Sequence, residues 1–410
     1  MALDLTSFDS ALKQHYTNDR VENMVYMDNP FLALVPKMEQ FGGRNLPIPL
    51  IYGNPQGRSA TFATAQTIGA SSSSLLKAYL LTRVKDYSIA TIDNETLEAS
   101  KGNANAFLEA ATVEIDGAIN SLTRSLAISL YRSGFGNLGQ VANSNMGLSV
   151  LTLTNAGDVV NFEVGMQLQF AASISGDALR DSGDYITITG IDRMAGTLTF
   201  GGAISSISGI ATNDYIFAKG DRQDSATPAA LKVSGLQAWV PASAPASTAF
   251  FGVDRTADVT RLAGLRKDYT GVPIEEALVD GAALVNREGQ KLSHYFMTYE
   301  KYAELEKALG SKVQYVDLKV SAEVAFRGII INSGRGPIKC IPDQNCPTGS
   351  IFGTNMEYWK LYSLGKAVRV IDTDGLQMLR LASSDGIEIR YGFYGNLATR
   401  SPASNINITI

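Results

Sequence analysis

Residues 103–133 read NANAFLEAATVEIDGAINSLTRSLAISLYRS. Within them Leu108, Ala111, Ile115, Ala118, Ile119, Leu122, Leu126 and Leu130 recur mostly three or four positions apart. That spacing predicts one apolar stripe along a helix. Asn103 suits an N-cap and Gly134 a C-terminal stop. About thirty residues rising about 1.5 Å each make a rod of about 45 Å. The opposite face carries Glu109, Glu114, Asp116, Asn120 and Arg124, so it is expected to be wet and is too polar for a membrane span. A rod of this length is a backbone onto which other elements dock.

The pattern on either side is different. Residues 1–40 form an arm. Phe8, Ala11, Leu12 and His15 predict a short amphipathic turn or two, and Asn29-Pro30 and Val35-Pro36 break anything longer. Met24, Val25, Tyr26, Phe31, Leu32 and Leu34 sit among these breaks, so they bury only by lying on something else, either their own domain or a neighbouring subunit. Residues 41–92 are a long extended excursion with flanking strands. NLPIPLIY (45–52) is strand-like, although Pro47 and Pro49 demote it to an edge. The tip runs through GNPQGR, SATFATAQ and the serines at 71–74. The return, LLKAYLLTRVKDYSIATI (75–92), is strand-like. About forty residues without a core pattern of their own are unusual inside a compact domain. A floppy surface hairpin is one reading, and a hairpin ordered by overlapping a neighbour is the other. A short helical piece at 93–100 leads into the rod, which takes residues 93–136.

After the rod, residues 137–222 lose charge and gain Gly, Ser and Thr. Strand-like runs recur at 148–154, 166–170, 185–191, 196–200 and 214–217, separated by Ser182-Gly183, Ala195-Gly196 and Gly201-Gly202. This predicts an inserted all-β module, barrel or sandwich. PASAPAST (241–248) reads as a linker within residues 223–290. Pro273 opens a helix carrying Ile274, Leu278, Gly281, Leu284 and Val285, closed by Gly289. Residues 291–410 mix a strand at 295–297, a helix at 299–309 capped by Thr298, strands at 327–331, 338–341, 359–363, 368–371, 378–382 and 387–391, and a closing NINITI expected at a sheet edge. Strands and helices without regular βαβ alternation argue for α+β.

Composition narrows the chemistry. Of 410 residues, 45% are hydrophobic and 18% charged, which is globular and long enough for two or three domains. A net charge of -5 carries no chain-wide footprint for nucleic acid. Two cysteines are too few for a disulfide framework, and two histidines leave little for His-based catalysis or zinc. No signal peptide and no transmembrane run is apparent, so the expectation is a soluble, cytoplasmically made protein without a membrane partner.

Candidate chemistry is weighed and set aside. Gly134, Gly136 and Gly139 fit GxGxxG, but after a helix and before a β module, the wrong context for a dinucleotide. Cys340 and Cys346 lack a partner pair for zinc, and Cys346 as a nucleophile has only His15 and His294 for a base, so a buried structural thiol is favoured. Asp372, Asp374 and Gly375 echo half a calcium loop and read better as a turn. His294, beside Tyr295 and Phe296, reads as a strand residue. The expectation is no catalytic residue, no cofactor, no metal and no enzyme.

Several stretches, taken in order, resemble the major capsid proteins of tailed double-stranded DNA bacteriophages, with the Hong Kong 97-like fold. TRVKDYSIATIDNETLEAS (82–100) resembles the strand returning from the family's extended loop. FGVDRTADVTRLAGLRKDYTGVPIEEAL (251–278) resembles its approach to a peripheral helix. PDQNCP (342–347) and RYGFYGNLATRSPASNINITI (390–410) resemble its C-terminal half. The resemblance implies an N-terminal arm, an extended loop, a spine helix at 103–133 in a peripheral domain, and an axial domain over 291–410 with C-terminal strands returning to the periphery. The β module resembles insertions in some members. It further implies a structural head protein that self-assembles into hexamers and pentamers of an icosahedral shell around packaged DNA, held nonspecifically. The shell would be a virion capsid built in the host cytoplasm.

On that resemblance Arg58, Phe62 and Gln66 lie near the loop tip as intersubunit contacts, with Phe31 and Leu32 of the arm. The expected partners are other copies of the chain, a separate scaffolding protein, a portal and decoration proteins. No Lys–Asn–Glu crosslinking trio is placed, although Lys77, Lys85 and Asn396 are present. An encapsulin-like nanocompartment shell is the alternative. An adhesin-type module built on the β region ranks next, and an enzyme last.

Overall fold

A computed structural model describes residues 29–93, 104–142, 147–309, 315–320, 324–372, 375, 378–380 and 385–410, with side chains left aside for 104–113 and 315–328. The N-terminal half of the arm, the short helical piece at 93–100 apart from its first residue, and the Asn103 cap fall outside these residues. The long helix, α3 (Ala104–Ser129), follows four strands and two short helices. These are α1 (Pro30–Leu34), β1 (Lys37–Met38), β2 (Asn45–Gly53), α2 (Phe62–Ser71), β3 (Leu75–Thr82) and β4 (Val84–Asp93). Its 26 residues span about 39 Å. Ile115, Ile119, Leu122, Leu126 and Leu130 are buried, as the stripe predicts, while Glu114 and Asn120 are exposed.

The helix stops at Ser129, short of the expected stop at Gly134: the Tyr131 and Arg132 N–H groups turn back to the Ile128 and Ser129 carbonyls, and Gly134 follows with φ +91°. Its last carbonyls are not left to water. The backbone N–H groups of Gly235, Leu236 and Gln237 donate to the carbonyls of Arg132, Leu130 and Tyr131 at 2.8–3.1 Å. That junction starts α4 (Leu236–Trp239).

One apolar cluster joins the buried face of α3 to Phe31 and Leu32, to Ile48, Tyr79 and Leu81, and to a six-stranded sheet. In that sheet the fourteen-residue β20 (Gly386–Thr399) is central. It pairs antiparallel with β4, with β17 (Trp359–Ser363), and with the short β18 (Arg369–Val370) and β19 (Leu379–Arg380). β1 adds a parallel edge on β17.

A second cluster fills the inserted module. Its strands are β5 (Asn137–Gln140), β6 (Val150–Thr152), β7 (Gln167–Ala171), β8 (Ile186–Asp192), β9 (Thr197–Phe200) and β10 (Tyr215–Ala218). Their order is β5-β10-β7-β8-β9-β6. A bridge from Val141 to Leu153, flanked by Ala142 N–H to Thr152 and Thr154 N–H to Gln140, brings the last strand back to the first. The module is thus a closed six-stranded antiparallel barrel with no free edge.

The third cluster packs α6 (Ile274–Arg287) on a seven-stranded sheet. α5 (Val259–Ala263) leads into β11 (Leu265–Asp268), the first strand of this sheet. β12 (His294–Met297) follows α6, and α7 (Tyr299–Leu309) follows β12, its first turn capped by Lys301 N–H donating to the Thr298 hydroxyl. The remaining strands are β13 (Tyr315–Val320), β14 (Val324–Ser333), β15 (Gly336–Pro342), β16 (Ser350–Thr354) and β21 (Ile406–Thr409). Their order is β11-β21-β16-β12-β15-β14-β13. NINITI is therefore not an edge, because β21 lies between β11 and β16. Its asparagines Asn405 and Asn407 are buried donors and acceptors. Asn407 Nδ2 donates to the Val240 carbonyl at 2.9 Å, and Asn405 Oδ1 accepts from Trp359 Nε1 at 2.8 Å. The chain's last strand accordingly ends in this sheet, and β20 is the C-terminal strand that lies with α3 and β4.

Candidate assembly surface

β2 and β3 form a two-stranded antiparallel ribbon running from Asn45↔Thr82 to Gly53↔Leu75. Pro47 and Pro49 fit because β2 pairs along one edge alone. One face of the ribbon is fastened to the body. Ile48, Tyr79 and Leu81 enter the central core. The Tyr79 hydroxyl donates to the Leu262 carbonyl at 2.6 Å, and burial pushes its phenol upward. Lys77 Nζ donates to the Asp254 carbonyl at 2.8 Å, and Arg261 Nη1 to the Tyr52 carbonyl at 2.7 Å.

That fastening uses one face of the ribbon, with Leu50 and Tyr52 also packed on the core, and the other face is open. Ile51, Leu75, Leu76 and Leu80 are exposed. The tip folds into α2, a helix that the sequence pattern does not predict. Its signal was faint, because a ten-residue helix with no buried residue has no apolar face pointing at a core. The tip is nonetheless built. Gly57 lies so close to Gly69 that a Cβ on the former would sit 2.8 Å from the latter's Cα. The Thr61 hydroxyl donates to that of Thr64 at 2.7 Å. Phe62 is 84% exposed at the start of α2, and Arg58 and Gln66 are exposed on the same tip.

The five expected contact residues therefore separate. Arg58, Phe62 and Gln66 come together on the tip. Phe31 and Leu32 do not join them, because they are 0% and 1% exposed inside the chain's own core. Phe31 packs against Tyr131 and Phe296 at ring-centroid distances of 5.3 and 5.0 Å. This part of the arm is an internal strap, and the alternative of a contact lying on a neighbour does not hold for these two side chains. Sequence showed that they must bury, but not against which chain.

The cysteines, His294 and the glycine and aspartate motifs lie in packed or hydrogen-bonded surroundings. Cys346 is buried with its thiol pushed far up by burial, and it donates weakly to the Ser350 carbonyl at 3.4 Å. Cys340 lies inside the seven-stranded sheet, also pushed up by burial. His294 is a strand residue whose Nδ1 meets the Ser293 hydroxyl at 2.8 Å. Gly134 and Gly136 sit against the returning strand at Lys232, Ser234 and Asp221. Asp372 and Gly375 close a turn, Gly375 N–H to the Asp372 carbonyl at 2.9 Å. The Asn396 amide is fully engaged. Its Oδ1 accepts from the Ser234 N–H at 2.9 Å and its Nδ2 donates to the Thr82 carbonyl at 3.0 Å. Among the described residues no cluster of three His, Cys, Asp or Glu side chains is arranged to hold a metal, and no helix is long and apolar enough to cross a membrane.

No known family profile and no curated protein matches the sequence. Solved structures do match in fold. The cyanophage A-1(L) capsid asymmetric unit aligns over 94% of this chain and 93% of its own, at 10% identity and a TM-score of 0.49. The capsid of an empty GTA particle aligns over 94% and 96%, at 8% identity and 0.41. An encapsulin complex from Synechococcus elongatus aligns over 92% and 86%, at 9% identity and 0.42. The chain is an α+β fold with an extended hairpin and a long helix, and its likeness to these capsid and encapsulin structures runs along more than nine tenths of its length at 10% identity or less.

Proposed function

We propose that this chain is a capsid-type shell subunit, the major head protein of a tailed double-stranded DNA phage. In this reading it assembles into hexamers and pentamers of an icosahedral shell. The observation that carries this reading is α2, a preformed tip helix none of whose residues is buried, held at the end of a ribbon that packs one face on the body and leaves Ile51, Leu76 and Leu80 exposed on the other. Isolated helices of this length are marginal in water, so tertiary packing has to supply their stability. A neighbouring copy supplies it, with Arg58, Phe62 and Gln66 as the intersubunit contacts. Near-equivalent repetition multiplies each modest contact over the shell.

The same reading makes a separate scaffolding protein, a portal and decoration proteins the partners, with assembly in the host cytoplasm and the virion capsid as destination. Contact with packaged DNA is nonspecific, consistent with a net charge of -5. The test is negative-stain microscopy of the purified full chain across salt and crowding conditions. Closed shells or capsomers are expected, and a monomer under every condition overturns the proposal. Shells that co-purify with one enzyme, and never with nucleic acid, shift the reading to an encapsulin-like compartment.

A further inference from the structure

The barrel is joined to the body by two chain crossings, and both pass one buried charge cluster. The outgoing crossing follows α3 through Gly134 and Gly136, and the returning one runs from Asp221 to Gly235. They are tied side by side, Lys232 N–H donating to the Gly134 carbonyl at 3.0 Å. From the returning crossing the Lys232 ammonium reaches Asp86 on β4 at 2.9 Å, Asp221 at 2.9 Å and the Ser125 hydroxyl on α3 at 2.9 Å. Ser125 in turn donates to Asp86 at 2.6 Å. One side chain therefore holds the strand, the helix and the barrel's exit together.

The cluster does not balance. Two carboxylates share one ammonium, leaving a net negative charge at a site where Lys232 is 8% and Asp86 13% exposed. Its charged surroundings pair among themselves. Arg132 on the helix end binds Asp158 of the barrel at 2.9 Å, and Arg124 on α3 binds Glu163 of the barrel, which Arg193 also reaches from the solvent side. The Tyr87 phenol of β4 is the remaining titratable group lining the space. Beside the cluster a cleft of about 450 Å³, lined by Asn120, Ser121, Asn161 and Met166 among others, opens between barrel and helix, while Ile128 of the helix packs in the barrel's apolar cluster. Asp221 keeps 24% exposure at the floor of that cleft, a route for a proton.

We propose that Lys232, Asp86 and Asp221 form a proton-operated catch: one proton taken up by Asp221 tightens the two crossings that join the barrel to the long helix, and its loss loosens them. The direction follows from linkage. Burial pushes the Asp221 carboxyl up to about 6, Lys232 opposing and Asp86 adding. A released, hydrated Asp221 returns to an ordinary carboxylate value, so the tightened form binds the proton more strongly and acid favours it. A displacement of about two units sets a ceiling of about 100-fold on the change in the equilibrium between tightened and loosened crossings.

Hydrogen exchange read by mass spectrometry on the full chain tests this without reference to shell assembly. Peptides covering 134–142 and 219–236 are followed at pH 8 and pH 5, corrected for intrinsic exchange, with 350–354 and 406–410 as references. The wild type should show at least tenfold greater protection of the crossings at pH 5, with the references unchanged. Asp221→Asn should be protected equally at both pH values. If that variant is misfolded by circular dichroism, Asp86→Asn, which leaves one balanced Lys–Asp pair, should flatten the response in the same way. Equal protection of wild type at both pH values overturns the proposal, as does a full pH response retained in the folded variant.

Discussion

The Tyr131 hydroxyl donates to the Asp343 carboxylate at 2.8 Å, joining the end of the long helix to the loop after β15. The same carboxylate accepts the Phe31 N–H of the strap at 3.3 Å and the Asn345 N–H at 2.9 Å, and Asn345 Nδ2 reaches Asn29 at 2.7 Å. Asp343 is 1% exposed, so PDQNCP works as an internal rivet between strap, helix and the second sheet. Burial raises its carboxyl while its four donors hold it down.

Breaking the rivet should be costly on one side and mild on the other. Asp343→Ala strands the Tyr131 hydroxyl and two backbone N–H groups, with an expected loss of about 3–5 kcal/mol. Tyr131→Phe removes one donor and should lose about 1–2 kcal/mol. Urea denaturation of the unassembled subunit, followed by tryptophan emission from buried Trp239 and Trp359, reads both. Equal small losses would mean that the network carries little.

Phe62→Asp should separate folding from assembly. The side chain touches no core, so the urea midpoint of the subunit should move by less than about 0.5 kcal/mol. If a neighbour buries it, each contact loses about 2 kcal/mol or more, repeated over every copy, and shells should vanish from micrographs. Intact shells from the variant would remove Phe62 from the interface.

Legibility in the sequence tracked whether a residue's partner shares its element. The rod was readable because Ile115, Ile119, Leu122 and Leu126 announce their own period. The alternating strands of the inserted module were readable for the same reason, but their closure was not, since Val141 meeting Leu153 is a property of the pairing. β5 was hidden in a glycine motif, and α2 had no buried face to reveal it. The Lys232 catch was invisible because Asp86, Ser125 and Asp221 come from three separate stretches. The expected edge position of NINITI failed because the neighbours of this strand, Leu265–Asp268 and Ser350–Thr354, come from distant stretches.

The seam between helix and returning crossing allows no side chain at Gly235. A Cβ there would fall on the Leu130 and Ser129 carbonyls, which are backbone and cannot step aside. Gly235→Ala should therefore destabilise by about 2–3 kcal/mol through displacement of the helix end. Gly271→Ala has open space but a φ of +83°, and should lose only about 1 kcal/mol from its backbone conformation. Thermal unfolding of the two variants side by side should rank them in that order.

Acid should reveal a titration opposite in sign to that of Asp221. His294 pairs in register with Lys339 and lies stacked near Phe296, and burial, with Lys339 adding, pushes its imidazole down to about 4. The unfolded chain binds that proton at an ordinary histidine value near 6.5, so folded stability contributed by His294 is full above about 6.5. It is lost as pH falls toward 4, by about 3 kcal/mol at most. Asp221, with its raised carboxyl, moves folded stability the other way over part of the same window. The two effects partly cancel in the wild type, so its urea midpoint should change little between pH 6.5 and 4.5. His294→Gln, which keeps a side-chain amide near Ser293 and removes the titration, should expose the Asp221 contribution as a midpoint that rises on acidification. A variant whose midpoint follows the wild type's between pH 6.5 and 4.5 would show that His294 takes up its proton as readily in the fold as in the unfolded chain.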